Sequence, residues 1–330
     1  VSAAVLAYRG RLIENVHRVS LAIVNPQGQL LAYAGQPGLT TFLRSSAKPF
    51  QSQALFLSGA VTRYGLGPRE LALASASHHG EAIHVEGVAQ FLERLGLGPE
   101  SLACGVHPPL AEESRKELEA RGEAPSPLHH NCSGKHAGML AAALALGAPL
   151  EGYERPEHPV QQLNLTTLRE LSRLNEVAVA IDGCSVPTFA LPLTRGAWLF
   201  AQLAAPENAP AQYQEGLEKV YQAMREYPQL VGGSRSLDTL LMEHLPLVAK
   251  GGADGYQGLA LRESPWGPVG VALKVEDGSS PAREPIVLTL LERLGLLAAA
   301  TWPERRRPAR TNYRGLTVGH LEAHLELELA

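Results

Sequence analysis

Lysine is scarce in this chain: six lysines stand beside 23 arginines in 330 residues. Arginine serves as a solvated positive charge just as well, but only a lysine amine can lose its proton at working pH. The places where lysine is kept therefore carry information. Four of the six, Lys48, Lys135, Lys250 and Lys274, sit in contexts dense in Ser, Cys, His or Gly, and only Lys116 and Lys219 read as ordinary solvated helix positions. Cysteine is equally sparse. Cys104, Cys132 and Cys184 cannot all pair, which excludes a disulfide framework. No apolar run reaches 18 residues without a charge, so no membrane span is expected. Net charge is −4 with no basic stripe, which argues against nucleic acid as a partner. No basic segment followed by an apolar stretch and a cleavage site opens the chain, and a cytoplasmic location is the expectation. No Walker A loop, no GxGxxG after a strand and no HExxH is present, which disfavours nucleotide chemistry.

What is present falls into three blocks. Ala4–Tyr8, Val19–Val24 and Gln29–Tyr33 are apolar runs cut by Arg9-Gly10 and Asn25-Pro26-Gln27-Gly28 turns, an antiparallel meander. Helical spacing fills the middle, over 48–58, 82–95, 112–120, 135–146, 159–174, 211–227 and 236–243. Strands return in Gly258–Arg262 and Val269–Lys274 around Ser264-Pro265-Trp266-Gly267, and a helix is expected over 285–296. The expected fold is α/β (α+β): one antiparallel sheet from both chain ends with a helical lobe inserted. As domains, 1–330 reads as a single catalytic unit, with 1–45 and 245–330 as the sheet lobe and 46–244 as a mainly helical lobe. The Pro- and Arg-rich stretch 301–311 reads as a surface linker.

Chemistry-bearing motifs cluster in four places. Ser45-Ser46-Ala47-Lys48 is a Ser-x-x-Lys, in which a lysine one helical turn on can take the serine proton; a capped helix start gives the same pattern. Leu71–Ala74 followed by Ser77-His78-His79-Gly80-Glu81 reads as strand, turn and helix, with Ser77 as a nucleophile or as an N-cap whose helix Glu81 favours through the dipole. Asn131-Cys132-Ser133-Gly134-Lys135-His136 precedes an apolar helix and is either a metal site or a polar supporting loop. Val177–Ile181 reads as a buried strand ending in Asp182-Gly183-Cys184. A carboxylate there suits a ligand ammonium group, and an ordinary turn cap is the alternative.

Together these segments resemble the Rhizobium-inducible type of L-asparaginase, the asparaginase II family. The resemblance runs through Arg44–Gln51, Ser77–Glu81, Cys104–His107, Asn131–Leu140, Ile181–Cys184 and Lys250–Gly255 in one order. It implies a fold similar to serine β-lactamases and glutaminases. It implies two serine–lysine pairs, Ser45 with Lys48 and Ser77 with Lys250. It implies zinc held by Cys132, Lys135 and Cys184, with Asp182, Arg44 and His136 on the substrate, and a homodimer. Ser185 stands where the family commonly has glycine, Asp254 where it has glutamate, and the 277–283 stretch is longer than usual. The implied reaction is hydrolysis of L-asparagine to L-aspartate and ammonia. Which serine attacks stays open. The rivals are a glutaminase, a β-lactam-recognising acyl-transfer enzyme, and a non-catalytic amino-acid or metal sensor.

Overall fold

The computed structural model describes residues 2–330. It divides into two compact units. The first comprises the chain up to Ser46, Leu191–Ala205 and Leu245–Ala330; the second comprises Ala47–Ala190 and Pro206–His244. The segment Leu191–Ala205, expected in the helical lobe, thus belongs with the sheet.

The sheet unit is built from both chain ends, as the alternating runs predict. Its antiparallel strands run in the spatial order Ala309–Thr311, Thr317–Leu325, Ala3–Arg9, Leu12–Val24, Val269–Val275, Tyr256–Leu261, Leu247–Gly251. Leu30–Ala34 pairs with Leu12–Val24, and Glu328–Leu329 pairs with Leu30–Ala34. The long strand Leu12–Val24 changes partners half-way. Leu12–Arg18 pairs with the first strand, and Val19–Val24 pairs with Val269–Val275. Its first half is largely exposed and its second half fully buried. The helix Leu193–Ala204 packs on three of these strands. Its run Ala197-Trp198-Leu199-Phe200 is buried all round, and the Trp198 indole N–H donates to Pro26 O at 2.9 Å. That packing is why this segment leaves the helical unit.

Two expectations at the chain's end are corrected. The helix read from Pro285 starts at Ser280 and ends at Arg293. Pro285 sits in its second turn, where it forgoes a single backbone bond. The linker 301–311 contains a short helix, Pro303–Arg306, and a strand, Ala309–Thr311.

The helical unit centres on the helix Ser133–Leu146, buried over Ser133–Ala143. Its start presses against the helix Pro68–Ala74. A Cβ at position 134 would lie 2.3 Å from Leu73 O, so only glycine fits there. Leu71–Ala74 is therefore helix and not strand. Four apolar residues carry no period that separates the two. The predicted helix over 48–58 is broken at Ser52 into Lys48–Gln51 and Gln53–Leu57. Val177–Ile181 is corrected as well. Ala178–Ile181 is a strand paired with Pro187–Ala190, but Val179 is 42% and Ile181 58% exposed, so it is not buried. Among the described residues no helix is long and apolar enough to cross a membrane.

Candidate active site

Lys48 opens the helix Lys48–Gln51, and its side chain is buried at 1% exposure. Its amine donates to Ala76 O at 2.5 Å, to Ser77 Oγ at 2.8 Å and to Cys132 Sγ at 3.2 Å. Three protons of an ammonium thus meet three acceptors. Ser77 itself is partly exposed, so a buried amine stands behind an accessible hydroxyl.

The serine beside Lys48 is Ser77, 29 residues further on, whereas the family resemblance couples Lys48 with Ser45 and Ser77 with Lys250. The Lys48 side chain follows its own short helix toward Ala76 and Ser77. Ser45 lies before it in the 3-10 turn Arg44–Ala47. The helix break at Ser52 supports the same geometry. Ser52 Oγ bonds Lys48 O at 2.9 Å and Ser75 Oγ at 2.9 Å, so it ties the lysine turn to the strand of chain leading to Ser77.

Ser77 is not a helix cap. The N-cap of the helix Ala82–Arg94 is Glu81, whose backbone N–H donates to His84 Nδ1 at 3.0 Å. The Ser77 and His78 N–H groups donate to Val231 O and Asn131 O, which removes both as donors to an oxyanion. His78 is fully buried. Its Nδ1 accepts from the Gly80 N–H and its Nε2 faces Ser133 Oγ at 2.8 Å, the pattern of a neutral ring. Burial above all, with His84 and Lys48 nearby, holds its pKa well below the usual value.

Cys132, Lys135 and Cys184 gather behind this pair, all buried. Lys135 Nζ lies 3.0 Å from Cys184 Sγ. A hydrogen bond from Cys184 is the main cause that holds the Cys132 thiol well below its usual pKa, against burial and with help from Lys48 and Lys135. The same bond, with burial, raises Cys184. Burial opposes the charge on Lys135, but the two sulfurs outweigh it and raise its pKa. Two hydrogen-bonded sulfurs thus lie beside an amine. That donor set fits a soft divalent ion such as zinc, which takes thiolates and replaces thiol protons. His136 adds a buried ring that hydrogen-bonds Cys184, while its Nδ1 meets the Tyr153 hydroxyl at 2.6 Å. Burial lowers the His136 pKa to about 4. Among the described residues no group of three or more His, Cys, Asp or Glu is arranged to hold a metal. Cys104 stands apart as a buried thiol pushed up to about 12 by burial.

Asp182 ends the exposed strand. It accepts from the Gly183 N–H at 2.7 Å, and Ser185 three residues on holds φ +74°. Glycine would adopt this left-handed backbone without the cost that a side chain carries.

In the sheet unit, Lys250 is fully buried at the end of the strand Leu247–Gly251, and its amine donates to Gly251 O at 2.9 Å. Lys274 donates to Asp254 O and Val275 O, both at 2.5 Å. Arg44, expected to bind substrate, forms an ion pair with Asp254 in the same unit. The contacts missed by sequence reasoning are Lys48 with Ser77 and with Cys132. They span 29 and 84 residues, and no local pattern announces them.

A family model described as L-asparaginase II matches residues 5–323, which makes the protein an amidohydrolase by class. The chain belongs to the L-asparaginase II family. No curated protein sequence matches it. Among solved structures it is similar to a Bacillus subtilis glutaminase, YbgJ, in covalent complex with 5-oxo-L-norleucine. That match has 15% identity over 86% of this chain and 90% of the other, with a TM-score of 0.42. A second Bacillus glutaminase is similar at 14% identity over 84% of this chain and 91% of its own, with a TM-score of 0.39.

Proposed function

We propose that the protein hydrolyses L-asparagine to L-aspartate and ammonia through a serine–lysine mechanism. The observation that carries this reading is the 2.8 Å approach of the buried Lys48 amine to the accessible Ser77 hydroxyl. A neutral Lys48 amine accepts the Ser77 proton as Oγ attacks the side-chain amide carbon. The tetrahedral intermediate collapses by breaking the C–N bond, and the lysine proton passes to the departing nitrogen. Ammonia leaves an ester on Ser77. Water then attacks that ester and gives a proton to the lysine; the C–Oγ bond breaks, the lysine proton passes to Ser77 Oγ, and the carboxylic acid leaves with serine and amine restored. Asp182 is assigned to the substrate α-ammonium group, and Arg44 and His136 to the remaining substrate contacts. The family resemblance pairs Ser45 with Lys48 and Ser77 with Lys250, and Ser45 and Lys250 are assigned from it as the further members of the catalytic set.

Zinc is proposed as the resident metal, held by Cys132, Lys135 and Cys184. When bound it supplies charge that orders the Asn131–His136 turn, since a dithiolate site is too electron-rich to acidify water strongly. The proposal also carries a homodimer and a cytoplasmic location.

The deciding experiment is ammonia release from L-asparagine and L-glutamine by the wild type, Ser77→Ala and Ser45→Ala. Release from asparagine that falls about 10⁴-fold or more in Ser77→Ala, with the fold intact, is the expected outcome. Faster release from glutamine makes the protein a glutaminase, because one methylene discriminates by only about 1–3 kcal/mol. Activity that survives Ser77→Ala and vanishes in Ser45→Ala transfers the nucleophile to Ser45.

A further inference from the structure

Three hydrogen-bonded ties join the segment carrying Ser77 to a strap made of the short helix Pro228–Gly232 and the residues after it. His84 Nε2 donates to Gln229 O at 2.8 Å. The Ser77 N–H donates to Val231 O at 2.9 Å. Glu81 Oε1 accepts from both the backbone N–H of Ser234, at 2.9 Å, and its hydroxyl, at 3.0 Å. All three ties lie within the helical unit.

The segment needs such support. Ala76–Glu81 has no regular secondary structure, so no helix or ladder of its own fixes the Ser77 backbone. The strap side of the joint is equally specific. Gly233 holds φ +104°, and a Cβ there would meet Glu81 Oε1 at 2.8 Å and His79 Cβ at 2.9 Å. Glu81 and Gly233 thus touch with no spare room. At the near end, the His84 ring is locked in one tautomer, because its Nδ1 accepts from the Glu81 N–H at 3.0 Å while Nε2 serves Gln229. Glu81 therefore bridges both sides. Its backbone fastens to His84 and its carboxylate to Ser234.

We infer that Glu81 is a positioning residue for the nucleophile. Holding Ser234 keeps the strap in place, and the strap, through Val231 O, keeps the Ser77 backbone where its hydroxyl meets the Lys48 amine. The inference rests on the reading of Ser77 as the nucleophile. The carboxylate is hydrogen-bonded to Ser234 and not to Ser77 or Lys48. Its effect is therefore on the rate of the chemical step, because a misplacement of about 1 Å in a reacting group costs about 100-fold.

The test uses the full chain with Glu81→Ala, Glu81→Gln and Ser234→Ala. It measures kcat and KM for ammonia release from L-asparagine, and amide hydrogen exchange over 229–236. Glu81→Ala is expected to speed exchange across the strap and to lower kcat about 100-fold, with KM within about threefold of wild type. Glu81→Gln keeps an acceptor oxygen and is expected to recover kcat to within about tenfold of wild type. Ser234→Ala retains the N–H donor and loses less than Glu81→Ala. Faster strap exchange with an unmoved kcat overturns the inference, and so does a raised KM with unchanged kcat, which would place the strap on the substrate instead. If Glu81→Ala does not fold, Ser234→Ala decides: a lowered kcat at constant KM supports the inference, and wild-type kinetics overturn it. A wild-type chain that releases no ammonia from asparagine or glutamine overturns the amidohydrolase reading and this inference together. Normal wild-type turnover with an indifferent Glu81→Ala overturns this inference alone.

Discussion

In the helical unit the Lys48 amine meets a hydroxyl and a thiol beside one carbonyl; in the sheet unit the Lys274 amine meets two backbone carbonyls. Both arrangements remove a lysine from water and supply oxygen or sulfur partners. They differ in what can move. A carbonyl has no proton to give, so an amine held by carbonyls anchors the chain around it. A hydroxyl and a thiol both titrate, so an amine between them can pass a proton either way. The turn 251–255 shows the anchoring use, with the Arg283 guanidinium donating to Gly252 O at 3.3 Å and Lys274 closing on Asp254 O. The Lys48 corner is the one that the proposed mechanism uses.

Replacing the amine by a group that cannot accept a proton gives the largest contrast. Lys48→Arg keeps the charge and is expected to lower kcat about 10²–10⁴-fold, measured by ammonia release alongside a thermal melt that verifies the fold. Retained turnover would remove Lys48 from the proton path and erase the distinction between the two units. Lys274→Met should do the reverse. It leaves Asp254 O and Val275 O without that donor, and unfolding in urea should show a loss of about 1–3 kcal/mol, whereas kcat per folded chain changes far less. A kcat collapse in Lys274→Met at unchanged stability would make the carbonyl-held lysine a chemical participant. Cys132→Ser sharpens the contrast inside the helical unit, since Cys132 touches the reactive amine and also belongs to the sulfur cluster. Zinc content per chain should fall and KM should rise about tenfold, with kcat reduced less than KM is raised. Abolished turnover at constant KM would move the metal into the chemical step.

The sheet was legible because its signals are local. Period-two runs on either side of Asn25–Gly28 and Ser264–Gly267 name their own partners, and the hairpins formed as read. The helix Pro68–Ala74 was not, because Leu71–Ala74 is too short to show a period and its character is decided by the neighbouring Ser133–Leu146. Ala178–Ile181 is a strand for its β-branched residues, but its exposure depends on which surfaces the rest of the chain leaves uncovered. Residue types at the candidate site were legible too. Their pairing was not. Lys48 reaches Ser77 because two short elements are tied through Ser52 and Ser75, and a sequence carries no record of that tie. Glu81 was read as a helix-dipole partner, which accounts for its position but not for Ser234.

The contact between position 134 and Leu73 O has a consequence for anyone who wishes to redesign this protein. Most tight spots in a folded chain are side chain against side chain, and a library can relieve them by trading volume between two positions. Here the obstacle is a main-chain carbonyl, which no choice of amino acid at position 73 removes. Position 134 thus has a vocabulary of one letter, set by clearance and not by reactivity. Diversity introduced around Cys132 and Lys135 to alter substrate preference should be spent at other positions, and any ancestor or variant with another residue at 134 must carry a different backbone there.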